Sequence, residues 1–275
     1  MSSIKQNIKL WLLKNIDLRL FELFNSKYVF TTKIPLRKDK VISDLFPLRI
    51  ENKWNTHFEL LNILKILSPK IDNAKIKKAC FVFFNRDGKK LGEHYINILD
   101  QTKMTIDLKQ ICNKLKIFND GTFAVFHQTD FIDIIKNNSF LTERGYVGYA
   151  NEDYGPIKAY VHGNFDAISG SDKLELLGVT SFLKKKYHIQ YKFNDNFDYE
   201  LKWVNTSNKL MKIEIYDSFF DKKHTVKIKP GGLKSYICNK EKTNNSRNIF
   251  VKSKLNLARP IIFKYMKDSF DVFHG

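Results

Sequence analysis

The chain has 275 residues, 43% hydrophobic and 14% aromatic, which supports one large or two ordinary domains with substantial cores. No uncharged apolar run of about 18 residues occurs, so no transmembrane helix is expected, and three cysteines without Cys-x-x-Cys or Cys/His spacing speak against a structural zinc site. The formal charge of +18 rests on 40 lysines and only seven arginines, a basic protein whose balance does not favour base-reading nucleic-acid contacts, because those draw on the arginine fork.

Residues 3–24 carry apolar side chains at Ile4, Ile8, Trp11, Leu12, Ile16, Leu20, Phe21 and Phe24, the spacing of an amphipathic α-helix. Lys5, Lys9 and Lys14 interrupt the apolar core that a signal peptide needs. The expected location is therefore cytoplasmic, a compartment that also suits few cysteines. The helix has two uses open to it: docking on the body or a protein partner, or lying on an anionic membrane surface. Residues 25–56, with Pro35 and Pro47, read as an extended arm, completing a first segment of 1–56. Arg49, Asn52 and Trp54 close it, a planar cation, an amide and a large ring within six positions. They suit a polar-aromatic pocket, or equally an arginine capping a carboxylate beside a core tryptophan.

Residues 57–130 and 199–275 share a pattern of short strands, which predicts an all-β protein made of two tandem antiparallel β-sandwich units behind the N-terminal helix. Phe81, Phe83 and Asn85 fall opposite Ile213, Ile215 and Asp217, and Tyr95–Ile98 opposite Thr225–Ile228. The last strand of each unit aligns Phe123–His127 with Pro260–Lys264. Asn85-Arg86-Asp87-Gly88 and Pro230-Gly231-Gly232 are turn signals, since glycine tolerates positive φ and asparagine and aspartate bond the following backbone. Residues 107–115 read as a short helix between strands. In general outline the units resemble small bacterial β-sandwich accessory modules, though no motif carries individual residues over.

Residues 131–198, the aromatic inter-unit segment, hold 8 basic and 9 acidic side chains, a net of −1, with six of the 12 tyrosines; residues 199–275 hold 16 and 7, a net of +9. Arg144-Gly145-Tyr146 and Tyr160-Val161-His162-Gly163-Asn164 place glycines beside rings, which permits close approach of a ring or another backbone. The tail, ending in Phe270-Asp271-Val272-Phe273-His274, is expected to pair as an edge strand.

No nucleotide loop, nucleophile elbow, zinc-protease or calcium-loop motif is present, and no cofactor or metal is expected. The leading expectation is a non-catalytic binding or accessory protein with a polar-aromatic site between the units, taking a glycan or glycoconjugate through Arg49, Asn52, Trp54, Arg144, Tyr146, Tyr149, His162 and Asn164. A homo-oligomer or protein partner fits the same surface. A second reading is an enzyme acting on a glycan or polar small molecule, with His162, Asp166 and His274 as acid-base groups if the middle strands meet the tail. A third is nucleic-acid or anionic-membrane binding through the basic ends, with nucleic acid not favoured.

Overall fold

A computed structural model of the protein describes residues 42–61, 78–98, 101–128, 145–156, 158–162, 176, 178, 180–194, 196–218, 222–240, 246–255 and 259–275. The expected helix over 3–24 lies outside the described residues, as do Arg144, Asn164 and Asp166. The chain is all-β, in small antiparallel sheets. Strands β1 (Ile42–Leu48), β2 (Trp54–Leu61), β3 (Lys78–Asn85), β4 (Lys90–Asn97) and β5 (Lys103–Asp107) are followed by helix α1 (Leu108–Lys114). Then come β6 (Gly121–Gln128), β7 (Gly145–Asn151), β8 (Lys158–His162), β9 (Thr180–His188), β10 (Phe193–Asn194), β11 (Asp198–Val204), β12 (Met211–Asp217) and β13 (Lys222–Ile228). The chain continues with β14 (Leu233–Cys238), β15 (Ser246–Arg247), β16 (Ile249–Leu255), β17 (Ile261–Tyr265) and β18 (Phe270–His274). Among the described residues no helix is long and apolar enough to cross a membrane.

Among the described residues four of the sheets are four-stranded. Sheet I runs β1-β6-β3-β4 and sheet II β5-β2-β7-β8; sheet III runs β9-β16-β12-β13 and sheet IV β14-β11-β17-β18. Sheets I and III share one strand order and sheets II and IV another, with β10 and β15 forming an extra short ribbon. The topology alters the strand alignment expected at the end of each unit. The counterpart of β6 is β16, and β17 takes the place of β7. The aromatic stretch 131–198 is divided between sheets: β7 hydrogen-bonds to β2 and β8 to β7, while β9 pairs with β16. The tail strand β18 lies at the edge of sheet IV beside β17.

Local chemistry explains the punctuation. Asp107 caps α1 by accepting from the Gln110 N–H at 3.1 Å. In the β3–β4 turn, Asn85 Oδ1 accepts from the N–H groups of Asp87 and Lys89 at 3.0 and 2.8 Å. Gly88 there has φ +81°, and a Cβ on it would overlap the Pro230 carbonyl oxygen. That turn therefore nests against the Pro230-Gly231-Gly232 turn of the other half. Leu233 N–H donates to Arg86 O at 3.0 Å and Thr122 Oγ1 to Gly231 O.

Among the described residues three apolar cores result. The first lies between sheets I and II, around Phe58, Phe81, Phe83 and Phe123, and extends to Phe263 and Phe270 of sheet IV. The second lies between sheets III and IV, around Tyr199, Leu201, Trp203, Ile213, Ile215 and Val251. The third covers the opposite face of sheet I, joining Cys80, Val82, Ala124 and Phe126 to Leu176, Val204 and Leu233. Strands β1, β3 and β6 of sheet I are thus covered on both faces, its edge strand β4 is not, and sheet III is covered on one face. All three cysteines are free and buried.

Candidate functional site

The chain between β1 and β2 turns tightly through Asn52 and Lys53, both with positive φ (49° and 65°). Two anchors fix it. Thr56 Oγ1 accepts from Arg49 N–H at 2.9 Å and donates to Arg49 O at 2.7 Å, while Asp120 Oδ1 accepts from the Ile50 and Glu51 N–H groups at 2.8 and 3.0 Å. The Arg49 side chain is thereby aimed inward. Its guanidinium carbon lies 3.8 Å from the Trp54 ring centroid and 4.6 Å from that of Phe263, a cation over two π faces.

Beyond the rings a charged network begins. Arg49 Nη1 donates to the Tyr265 hydroxyl at 2.6 Å and pairs with Glu200 Oε2 at 3.2 Å, and Tyr265 donates to the same oxygen at 2.9 Å. Lys202 Nζ lies 2.5 Å from Glu200 Oε1 and 3.2 Å from Ser235 Oγ. Period-two alternation explains why both charges of β11 point this way: Leu201 and Trp203 face sheet III, so Glu200 and Lys202 face Arg49. Burial alone would raise the Glu200 carboxyl, but Lys202 and Arg49 outweigh it and hold it below its ordinary value. Burial, with Arg49 nearby, lowers the Lys202 ammonium although Glu200 pulls it up. Burial likewise pushes the Tyr265 hydroxyl well up. Two cations share one carboxylate, leaving a surplus positive charge.

This network floors a cavity of about 340 Å3. Its walls come from both halves of the chain: Arg49, Glu51, Asn52, Trp54, Arg86 and Asp120 from the first, and Glu200, Lys202, Leu233, Lys234 and Ser235 from the second. Arg86 Nη2 is braced by Glu51 at 2.6 Å and Asp120 at 3.4 Å. Donors and acceptors from both halves therefore converge on one volume, with the size and polar fixing points of a small-ligand pocket.

Of the residues singled out from sequence, Arg49, Asn52 and Trp54 line this cavity. Trp54 is only 5% exposed, with Arg49 over its face and Phe263 and Phe270 at its edges, so its ring serves the core and offers no stacking platform. Tyr149 is fully buried, its hydroxyl donating to Pro47 O at 2.8 Å, and it does not line the cavity. Tyr146 is exposed on the outward face of sheet II, opposite Glu59 and His162 in register and away from the cavity. The sequence reading missed Glu51, Arg86, Asp120, Glu200, Lys202, Lys234 and Ser235. The signal for two of them was the Glu200-x-Lys202 pair, one charged face on a strand whose other face is apolar.

His162 and His274 do meet, with ring centroids 4.5 Å apart where the edges β8 and β18 come together. His274 Nε2 lies 2.6 Å from the His162 carbonyl oxygen and so donates to it; its Nδ1 is buried without a hydrogen bond. Burial, then Arg259 and His162, pushes the His274 imidazole down to about 3, so at neutral pH it is uncharged and too weak a base to take a proton efficiently. Among the described residues no three His, Cys, Asp or Glu side chains converge as a metal site.

Comparison with known proteins adds no assignment. No family model and no curated protein matches the chain. Solved structures that align with it include an anti-sigma factor domain-containing protein, 8% identical over 84% of this chain and 82% of that one, with a TM-score of 0.19. Another is a calcium-binding mutant of Bacteroides uniformis beta-glucuronidase 2, 9% identical over 86% of this chain but only 26% of that one, with a TM-score of 0.16. Likeness at that level carries no argument about fold or function.

Proposed function

We propose that the protein is a non-catalytic binding or accessory protein of the cytoplasm, whose cleft between the two halves takes a polar ligand of the glycan or glycoconjugate class. In this reading the halves are tandem β-sandwich units behind an amphipathic N-terminal helix. The observation that carries it is the convergence of Arg86, Asn52, Lys234 and Ser235 on one cavity of about 340 Å3 above the Arg49–Glu200–Lys202 network. Sugar hydroxyls suit such a set of directional donors and acceptors, and the surplus positive charge favours ligands that carry a carboxylate. Recognition here is by hydrogen bonds, because the Trp54 ring is taken by Arg49.

A glycan array probed with the full chain tests this. Ser235 is exposed at the cleft wall, so Ser235→Trp fills the cavity without touching a core. The expected result is at least a tenfold loss of any array signal in Ser235→Trp and in Arg86→Ala, with Tyr146→Ala unchanged. A blank array with folded protein, or binding that survives Ser235→Trp, counts against the reading.

A further inference from the structure

The cleft does not use the outward face of sheet III, and that face has an unusual make-up. On β12, Met211, Ile213 and Ile215 point into the second core, so Lys212, Glu214 and Tyr216 point out. Register carries the outward face across the sheet. On β13 it bears Lys223 and Lys227, opposite Tyr216 and Lys212. On β16 it bears Phe250 and Lys252, opposite Tyr216 and Glu214, with Lys254 beyond. On β9 it bears Phe182, Lys184 and Lys186. Seven lysines therefore share a face on which Glu214 is the one carboxylate among the described residues.

Glu214 occupies three of those lysines: Lys184, Lys223 and Lys212 at 2.6, 3.2 and 3.6 Å. Its 3% exposure is made by their side chains and not by the core. Three of the remaining four stand over rings. Lys186 Nζ is 4.0 Å from the Phe250 centroid, Lys252 Nζ 5.2 Å from that of Tyr216, and Lys254 Nζ 5.8 Å from that of Phe182. Tyr216 and Phe250 are stacked at 4.5 Å and 5°, and Phe182 is 69% exposed. The pairing also sets Lys212 directly opposite Lys227, and Lys186 directly opposite Lys252. Like charges placed so cost the sheet stability, and a bound polyanion removes that cost.

We propose that the outward face of sheet III binds single-stranded nucleic acid without sequence preference. Alternate residues along a strand repeat at about 6.6–6.8 Å, so Lys184 and Lys186 of β9 and Lys252 and Lys254 of β16 present paired cations to a repeating anion, with Lys223 and Lys227 of β13 flanking Thr225. Phe182, 69% exposed beside these cations, supplies a ring for an unpaired base, and a ring set in a basic surface is the combination by which single strands are held. Lysine delivers charge without the planar fork that reads base edges, which makes the contact one of backbone and stacking alone. An anionic bilayer fits less well, because among the described residues the strongly exposed apolar side chains of this sheet are confined to Phe182 and Leu183 at one edge, while the rest of the face is lysine.

The test is fluorescence anisotropy of labelled 20-mer oligothymidylate and oligoadenylate with the full chain. Similar affinity for both is expected, with a log–log salt slope of roughly −3, as when four or five phosphates are neutralised on a single strand. Lys186→Glu with Lys227→Glu should weaken binding at least tenfold. Lys78→Glu with Lys89→Glu, the same charge change on exposed positions of the first half, should leave it within twofold. Phe182→Ala should weaken single-strand binding at least fivefold and duplex binding by less than twofold. Should the double glutamate variant fail to fold, Lys186→Gln with Lys227→Gln makes the same comparison at smaller amplitude. Equal losses in the two double variants, duplex or heparin bound as tightly as the single strand, tighter binding to phosphatidylserine vesicles, or no binding in 50 mM salt would each overturn the proposal.

Discussion

Sheets I and III hold corresponding places in the two halves and share a strand order, yet strands β1, β6 and β3 of the first are covered on both faces and the second is covered on one. The strands differ accordingly. In β3 the apolar run Ala79–Phe84 is continuous, and β6 is buried from Gly121 to Phe126; in β12 and β16 core-facing positions alternate with outward charged or aromatic ones. The Val82–Ala124 pair of sheet I faces the third core, where its counterpart Glu214–Lys252 in sheet III faces out. Topology fixes which strands are neighbours, whereas residue pattern fixes how many layers cover them.

The largest break in that comparison is expected from Ala124→Lys, which puts an unpaired charge between two covered faces. A loss on the order of 5 kcal/mol, or no cooperative unfolding at all in urea, is expected. Next comes Glu200→Gln, which strands Arg49 and Lys202 as buried like charges. About 3–5 kcal/mol should be lost in denaturant titration. The same change at Glu59, on the corresponding strand β2, should cost about 1 kcal/mol or less, because its partner Lys103 is exposed to solvent.

The edge strands β8 and β18 allow a pH test. His274 titrates in the fold far below its ordinary 6.5, at about 3, so the unfolded chain takes up its proton first. The stability it contributes as a neutral group is complete above pH 6.5 and drains away as pH falls toward 3. That one residue should account for about 1 kcal/mol between pH 6.5 and 5.5, and His274→Gln should flatten the slope of stability over that window. The smallest effect belongs to sheet III itself. Lys252→Ala, at the counterpart of Ala124, should change stability by less than about 0.5 kcal/mol.

Much of the framework was legible in the chain. Asn85–Gly88 and Pro230–Gly232 form the turns their residues call for, and α1 starts at the Asp107 cap. Alternation in 211–217 marks a sheet with one covered face. The cluster of Arg49, Asn52 and Trp54 does sit at a cavity, but its chemistry was hidden, since Glu200 and Lys202 reach Arg49 only through folding and leave Trp54 no free face. Tyr149 shows the same limit: a ring with a hydroxyl suits a binding surface or a core equally, and a hydrogen bond to Pro47, 102 positions away, settles it in the core. The aromatic middle stretch reads as one inter-unit segment because composition registers residue types and not hydrogen-bond partners, which tie β7 to β2 and β8 to β7 and send β9 to the other half.

The three cysteines are distributed one to each core: Cys112 on the buried face of α1, Cys238 on β14 against sheet III, and Cys80 on the outer side of sheet I where the halves join. Burial pushes their thiols up to about 12, 12 and 11, so an alkylating reagent meets almost no thiolate while the fold is closed. Mass spectrometry of timed maleimide labelling would therefore turn each sulfur into a clock for its own compartment. Adduct at Cys80 ahead of the other two would mean that the halves part before either one melts.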